Sequence, residues 1–233
     1  METPLRLISP PSACSYLPDQ VCQLEYDMSY SMTPDEYMER MHQGWRRIGR
    51  AVFRPACPSC RMCQSLRVPV DAFRPDRSQR RAWKANAGEV TTKVGRPALT
   101  TDRANLYRRF HTHQAGAKQW PMPELENLVA LLDNPFDTEE WSYRLGDRLI
   151  AVGYVDALAG GLSAIYFYYD PGERHRSLGT FNVLSVLASA RQRRLPYVYL
   201  GYYVEGCRSL AYKARFKPNE VRGADGEWTP FTT

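Results

Sequence analysis

Trp141-Ser142-Tyr143-Arg144-Leu145, Gly146-Asp147, Arg148 to Leu158, Gly160-Gly161 and Leu162-Ser163-Ala164-Ile165-Tyr166-Phe167-Tyr168-Tyr169-Asp170 together decide the fold. Three strand-like segments alternate with glycine-bearing turn pairs, the pattern of an antiparallel meander joined by hairpins. Period-two alternation places Tyr166 and Tyr168 on one face and Phe167 and Tyr169 on the other. Pro171-Gly172 closes the meander. Ser177 to Arg194 then reads as a long helix, because Leu178, Phe181, Leu184 and Leu187 recur at steps of three. Pro196 stops it. Tyr197 to Val204 reads as a further strand and Gly206 to Phe216 as a last helix. The class is α+β.

Upstream, the first thirty residues are rich in Pro and Ser and read as irregular or extended. Thr33-Pro34-Asp35-Glu36 starts a helix: Thr33 caps, Pro34 suits the first helical position and Glu36 closes a capping box. Tyr37, Met41, Trp45 and Ile48 share one helical face, and Gly49 is the expected stop. Arg50 to Pro55 and Ser65 to Phe73 read as strands around the loop Cys57-Pro58-Ser59-Cys60-Arg61-Met62-Cys63. Residues 76–86 and 101–117 read as helices, and Glu124 to Asp133 as a short one. We expect two domains, 1–98 and 99–233.

The 233 residues are 43% hydrophobic and 24% charged, too apolar for a disordered chain. No run approaches the roughly 18 apolar residues of a membrane helix. The opening METPLRLISPPSACSYLPDQ lacks a basic head followed by an apolar core, so no signal peptide is read and the cytoplasm is expected. Six cysteines in such a chain are read as thiols or metal ligands rather than disulfides. The net charge of +6 is unevenly held. Residues 51–99 carry +7 and 171–233 carry +5, while 1–50 carry −2 and 100–170 carry −4. Two basic blocks suit a polyanionic partner such as RNA; two solvated faces are the plainer explanation.

Several motifs carry candidate chemistry. Glu173-Arg174-His175-Arg176-Ser177 is a donor-rich loop feeding a helix start, where unpaired amides attract anions. Strand, basic loop and helix in this order resemble the acetyltransferase fold, whose loop grips a pyrophosphate. Arg176-Ser177-Leu178-Gly179-Thr180 follows that loop's pattern, but Phe181 fills its last small-residue position and disfavours acetyl-CoA. Seven tyrosines in two strands exceed the needs of a core, so some are expected to line a cleft. Arg77, Arg80, Arg81 and Lys84 share a helix face that suits an RNA backbone or carboxylates. Cys57, Cys60 and Cys63 pack three thiols into seven residues, and with Cys14 they form a candidate zinc or iron–sulfur site.

Leu162 to Pro171, Ser177-Leu178-Gly179-Thr180, Tyr199-Leu200-Gly201-Tyr202-Tyr203-Val204 and Cys207-Arg208-Ser209-Leu210-Ala211-Tyr212-Lys213 together resemble the arginyl-tRNA–protein transferase family. Cys14-Ser15-Tyr16-Leu17-Pro18, Arg54-Pro55-x-Cys57-Pro58-x-Cys60 and Arg67 to Arg81 are similar to its compact bacterial branch, the aspartate/glutamate leucyltransferases. The resemblance implies a small N-terminal α/β domain with a Cys-rich loop, packed on an acetyltransferase-like (GNAT/Fem-like) C-terminal domain. It implies transfer of leucine from leucyl-tRNA to proteins beginning with Asp or Glu, which marks them for N-degron degradation. It departs at the cysteines: Leu17 stands three after Cys14, so an iron–sulfur cluster is not carried over.

An aminoacyl-tRNA is an activated ester, so the chemistry needs no added cofactor. The expected roles follow from that reaction. Asp170 is the base or amine anchor, with Asp156 and Glu205 as rivals. Tyr168 and Tyr202 donate to the oxyanion or ribose. Arg77, Arg80 or Lys213 pairs with the acidic acceptor residue. Arg174, Arg176, Ser177, Gly179, Arg193 and Arg194 meet the tRNA, and Ile165 and Phe167 contribute to a leucine pocket. Three alternatives stay open: arginyl transfer by the same chemistry, an acetyl-CoA-dependent N-acyltransferase, and a non-catalytic tRNA-binding protein.

Overall fold

A computed structural model describes residues 5–27, 31–118 and 125–232. Strands β1 (Arg6–Ile8), β2 (Ser12–Ala13), β3 (Val21–Cys22) and β4 (Leu24–Asp27) precede helix α1 (Pro34–His42). β5 (Arg46–Ile48), β6 (Ala51–Pro55), β7 (Gln64–Pro69), α2 (Arg77–Asn86), β8 (Val90–Gly95), α3 (Thr101–Lys118) and α4 (Leu125–Ala130) follow. The meander is β9 (Thr138–Leu145), β10 (Arg148–Leu158) and β11 (Gly161–Tyr169). A 3-10 turn, Pro171–Arg176, leads into α5 (Leu178–Gln192), then β12 (Tyr197–Tyr203) and α6 (Arg208–Ala211). A second 3-10 turn, Tyr212–Arg215, leads to β13 (Glu220–Arg222) and β14 (Trp228–Pro230).

The meander sits inside an eight-stranded sheet of order β14-β13-β7-β12-β11-β10-β9-β8. Beyond β11 the chain crosses through α5 and returns as β12, parallel to β11. On its other side β12 pairs with β7, and β8 pairs with β9. The expected division at residue 98 therefore runs through one hydrogen-bonded sheet. A smaller sheet, β1-β4-β6-β5, comes wholly from the N-terminal segment.

Alternation along β10 and β11 distributes the core. Phe167 and Val155 face α5, in a cluster with Phe181, Leu184 and Leu187. Val152, Tyr154 and Tyr168 face Leu106, Tyr107 and Phe110 of α3. Leu158 and Tyr199 meet Tyr37 and Met41 of α1, together with Trp45. Gly153 permits the close approach of α5, since a Cβ there would stand 2.8 Å from Asn182 Oδ1. That oxygen accepts the Tyr143 hydroxyl at 2.7 Å.

The capping box of α1 forms as expected, with Thr33 and Glu36 bonding each other's backbone amides. The helix ends at His42 instead of Gly49, because Gly44 turns the backbone to φ +88°. Trp45 stays buried past the turn, whereas Ile48 lies exposed on β5. Gly49 makes the turn between β5 and β6 instead. The expected last helix is shorter, a four-residue α6 followed by a 3-10 turn. The expected helix from Glu124 begins at Leu125 within the described residues; Glu124 lies outside them.

Candidate active site

The parallel pairing of β11 with β12 covers only Gly161↔Tyr197, Leu162↔Val198 and Ser163↔Tyr199. Beyond it the strands part, and the β10–β11 register slips between Tyr154↔Tyr166 and Val155↔Ala164. Ile165 is the extra residue of this bulge, a device that bends a strand out of its ladder. Parting strands leave backbone carbonyls that need donors. Arg46 Nη2 donates to Ala164 O at 3.1 Å on the β11 side. Lys213 Nζ donates to Tyr202 O at 2.9 Å on the β12 side. Between them Gly201 holds φ +77°, and a Cβ on it would stand 3.5 Å from Arg46 Nη2 and 3.6 Å from Lys213 Nζ. Burial, with Arg46 adding repulsion, pushes Lys213 down to about 7.

The expected catalytic residues do not converge on this opening. Asp156 is fully buried and clamped by Arg47, with Nε–Oδ2 at 2.9 Å and a second contact from Nη2. Thr138 bonds it too, at 3.0 Å, so a substrate amine has no free oxygen to meet. Tyr168 is buried on the α3 face, where its hydroxyl has no hydrogen bond and desolvation raises its pKa. Tyr202 borders the opening, but its hydroxyl donates to Gly44 O at 2.9 Å. Glu205 is exposed just beyond β12. Asp170 follows β11, held by Arg148 Nη1 at 3.0 Å, Arg109 Nη2 at 3.4 Å and the Gly172 amide at 3.0 Å. Ile165 packs toward α3 and Phe167 toward α5, so the sheet separates the two proposed walls of a leucine pocket.

The basic residues divide in the same way. Arg176 bonds Glu173 and Glu89, both at 2.9 Å, and the Ala85 carbonyl, which commits it to holding the loop. Arg174 is exposed. Ser177 adopts a left-handed φ of 55° and caps nothing with its side chain. Gly179 has open space around it, with only Phe167 within 4.0 Å of a Cβ placed there. Phe181 turns inward against Trp83 and Tyr143. Arg193, on Glu139 at 2.7 Å, and Arg194 lie at the far end of α5, roughly 22 Å from the loop at 1.5 Å per residue. Arg77 and Arg80 are exposed on α2, while Lys213 is at the strand opening.

Two features escaped the sequence reading. One is Arg46, which comes from an acidic segment. The other is an open cleft of about 630 Å³ between α3 and the end of β11, lined by Asn105, Arg108, Arg109, Thr112, His113 and Asp170. Arg108 and Arg109 are exposed and belong to the segment with net charge −4. Deeper in the same helix, His111 Nε2 bonds the Tyr166 hydroxyl at 2.7 Å, and burial holds the imidazole below its ordinary pKa.

The cysteines gather as expected, with one addition. Cys14, Cys22, Cys57, Cys60 and Cys63 line a small cavity of about 130 Å³ beside Tyr202. Burial and neighbouring thiols push Cys63 up to about 12 and raise Cys22 as well, so these two favour the protonated form. Among the described residues no three Cys, His, Asp or Glu side chains are placed to share one ion. The transfer chemistry itself uses no metal ion or cluster.

A mixed sheet that parts beside a helix-crossed strand is an acetyltransferase-like, Fem-type fold. The solved structure of FemX has it, with a TM-score of 0.55 over 94% of this chain and 85% of that one, at 7% identity. So does the C-terminal domain of a putative lysylphosphatidylglycerol synthetase from Agrobacterium fabrum, with TM-score 0.50, 13% identity and coverage of 84% and 68%. Sequence comparison is narrower. Profiles described as the N terminus and the C terminus of arginine-tRNA-protein transferase match residues 12–81 and 102–223. An aspartate/glutamate leucyltransferase of Nitrosococcus oceani is 40% identical over 95% of this chain and 94% of its own. One of Pseudomonas savastanoi pv. phaseolicola is 38% identical over 91% and 90%. The chain belongs to the arginine-tRNA-protein transferase family. Among its described residues no helix is long and apolar enough to cross a membrane.

Proposed function

We propose that this enzyme moves leucine from leucyl-tRNA to the α-amine of proteins beginning with Asp or Glu, a cytoplasmic reaction that marks them for degradation. The observation that carries this reading is the 40% identity, over nearly the whole of both chains, to a relative named for that transfer. The chemistry is consistent with the site. The neutral α-amine attacks the ester carbonyl, an N–C bond forms, and the tetrahedral intermediate collapses to a peptide bond. The tRNA terminal hydroxyl leaves with the proton. An α-amine titrates near 7.7–8.0, so a useful fraction is neutral at physiological pH. Holding amine and ester together then supplies most of the rate.

Of the carboxylates, Asp170 retains a role that fits the geometry: it fixes Arg109 and Arg148 at the edge of the α3 cleft. That cleft is the proposed seat of the tRNA acceptor end. Arg108→Ala with Arg109→Ala is expected to weaken tRNA binding and to reduce the dependence of log K on log salt by about one to two phosphate contacts. Binding titrations at several salt concentrations read both effects, and an unchanged slope would move the tRNA elsewhere.

The direct test offers leucyl-tRNA and arginyl-tRNA, each labelled in the amino acid, with peptides beginning Asp, Glu or Ala. Leucine on the acidic peptides alone is the expected outcome. Arginine transfer would change the donor, and no transfer at all would remove the reading.

A further inference from the structure

Arg46 and Lys213 are two buried basic side chains without a carboxylate partner, and burial beside Arg46 lowers the Lys213 pKa to about 7. Arg46 is 7% exposed and its partners are all neutral: Met41 Sδ, Ser163 Oγ and the Ala164 carbonyl. Among the described residues Lys213 donates to the Tyr202 carbonyl, and the Cys207 thiol lies in its field. No carboxylate among the described residues pairs with either. Asp156 lies in the electrostatic field of Arg46 but is held by Arg47 and Thr138. Removing a cation from water without a counter-charge is strongly unfavourable, and two such cations side by side repel each other as well. A folded protein keeps this arrangement where a ligand supplies the missing charge.

Room between the two side chains lies at Gly201. Gly201 leaves empty the point that a Cβ would occupy, within 3.5–3.6 Å of both cations. The Tyr37 hydroxyl is fully buried within the field of Arg46, with Ser163 beside it. A compact anion at Gly201 would meet a guanidinium fork and an ammonium.

We propose that this cradle binds the side-chain carboxylate of the acceptor's N-terminal residue, with Arg46 as the specificity-determining fork beside Lys213. The inference rests on the leucyl-transfer reading and adds to it the atoms that select an acidic acceptor. The planar fork of arginine matches a carboxylate in two parallel bonds. The flexible lysine arm accommodates the one-methylene difference between Asp and Glu. A tRNA phosphate is the rival anion, but it carries a nucleoside on each side and suits the open α3 cleft better than a recess between two strands.

The experiment compares peptides beginning Asp, Asn, Glu and Gln in both transfer and direct peptide binding. The readout is the Asp-to-Asn ratio of kcat/KM within each protein, which cancels any loss of folded material. Arg46→Gln is expected to lower that ratio by about 100-fold and Lys213→Met by about 30-fold, as expected for truncating one partner of a buried charged contact. Arg46→Lys should recover part of the loss. Unchanged ratios in both variants overturn the proposal. So does an equal loss for every peptide with weakened tRNA binding, which would assign the cradle to a phosphate. If the wild type binds the Asp peptide over the Asn peptide but transfers nothing, the cradle stands and the transferase reading falls.

Discussion

Arg47→Met is expected to lower the stability of the fold by about 3–5 kcal/mol, the usual consequence of leaving one member of a buried ion pair uncompensated. Arg47 and Asp156 have no exposed side-chain surface. The guanidinium also bonds Gly49 O at 2.6 Å, Asn134 Oδ1 at 2.8 Å and Thr138 Oγ1 at 2.6 Å, and lies 4.7 Å from the Phe136 ring centre. It thus ties β5 of the small sheet to β10 of the large one and to the loop before β9. At roughly 2–4 °C per kcal/mol for a chain of this length, the melting temperature should fall by about 6–20 °C. Thermal unfolding by circular dichroism measures it. Adding Asp156→Ala should recover stability, because the orphaned carboxylate is the larger part of the cost. If the double variant is no better than the single one, the pair does not hold the sheets together. Loss of transfer with an unchanged melting temperature in Asp156→Asn would instead return Asp156 to the chemistry.

The large sheet was legible where its signals are local. Gly146-Asp147 and Gly160-Gly161 mark the hairpins, and alternation assigns Tyr166 and Tyr168 to one face, where α3 covers them. Three kinds of element were not legible. β8 is an edge strand exposed along all but its first residue, so it carries no apolar alternation. β13 and β14 have three residues each, too few for any period. The end of α1 was misplaced because Trp45 stays buried whether the chain continues as helix or turns at Gly44. That one sheet takes strands from both sides of residue 98 was not legible for a related reason: nothing in the composition of Gln64 to Pro69 tells that its partner is β12.

The site was legible as chemistry but not as geometry. Lys213 was expected to pair with the acidic acceptor residue, and it lies at the strand opening, whereas its companions in that expectation, Arg77 and Arg80, are solvent-facing residues of α2. The companion the structure supplies is Arg46, which belongs to a segment, residues 1–50, whose charge sums to −2. Charge summed along a segment reports the average surface; it does not reveal one arginine turned inward across a sheet. Asp170 and Asp156 illustrate the converse. Both sit at chemically suggestive places in the strands, and both are committed to arginines that only the fold brings near.

Gly201→Ala separates backbone strain from ligand recognition. Gly201 occupies φ +77°, a region costing an L-residue about 1 kcal/mol or somewhat more. That alone predicts a melting temperature lower by roughly 2–8 °C. The added methyl would also make ordinary van der Waals contact with Arg46 and Lys213, at 3.5 and 3.6 Å, so neither cation need move. It would, however, occupy the space where a carboxylate bridges them. Transfer to Asp and Glu peptides should therefore fall by about 100-fold, the scale of one lost buried charged contact, well beyond what modest destabilisation explains. Gly206 is the control. It has nearly the same backbone angle, φ +79°, in the turn after β12, and its Cβ would meet only Leu17 Cδ2 at 3.5 Å. Gly206→Ala pays the same strain without touching the cradle, so its melting temperature should fall comparably while its Asp-to-Asn ratio stays that of the wild type. Equal losses of ratio in both variants would mean that the strand end, rather than the space between the two cations, controls acceptor choice.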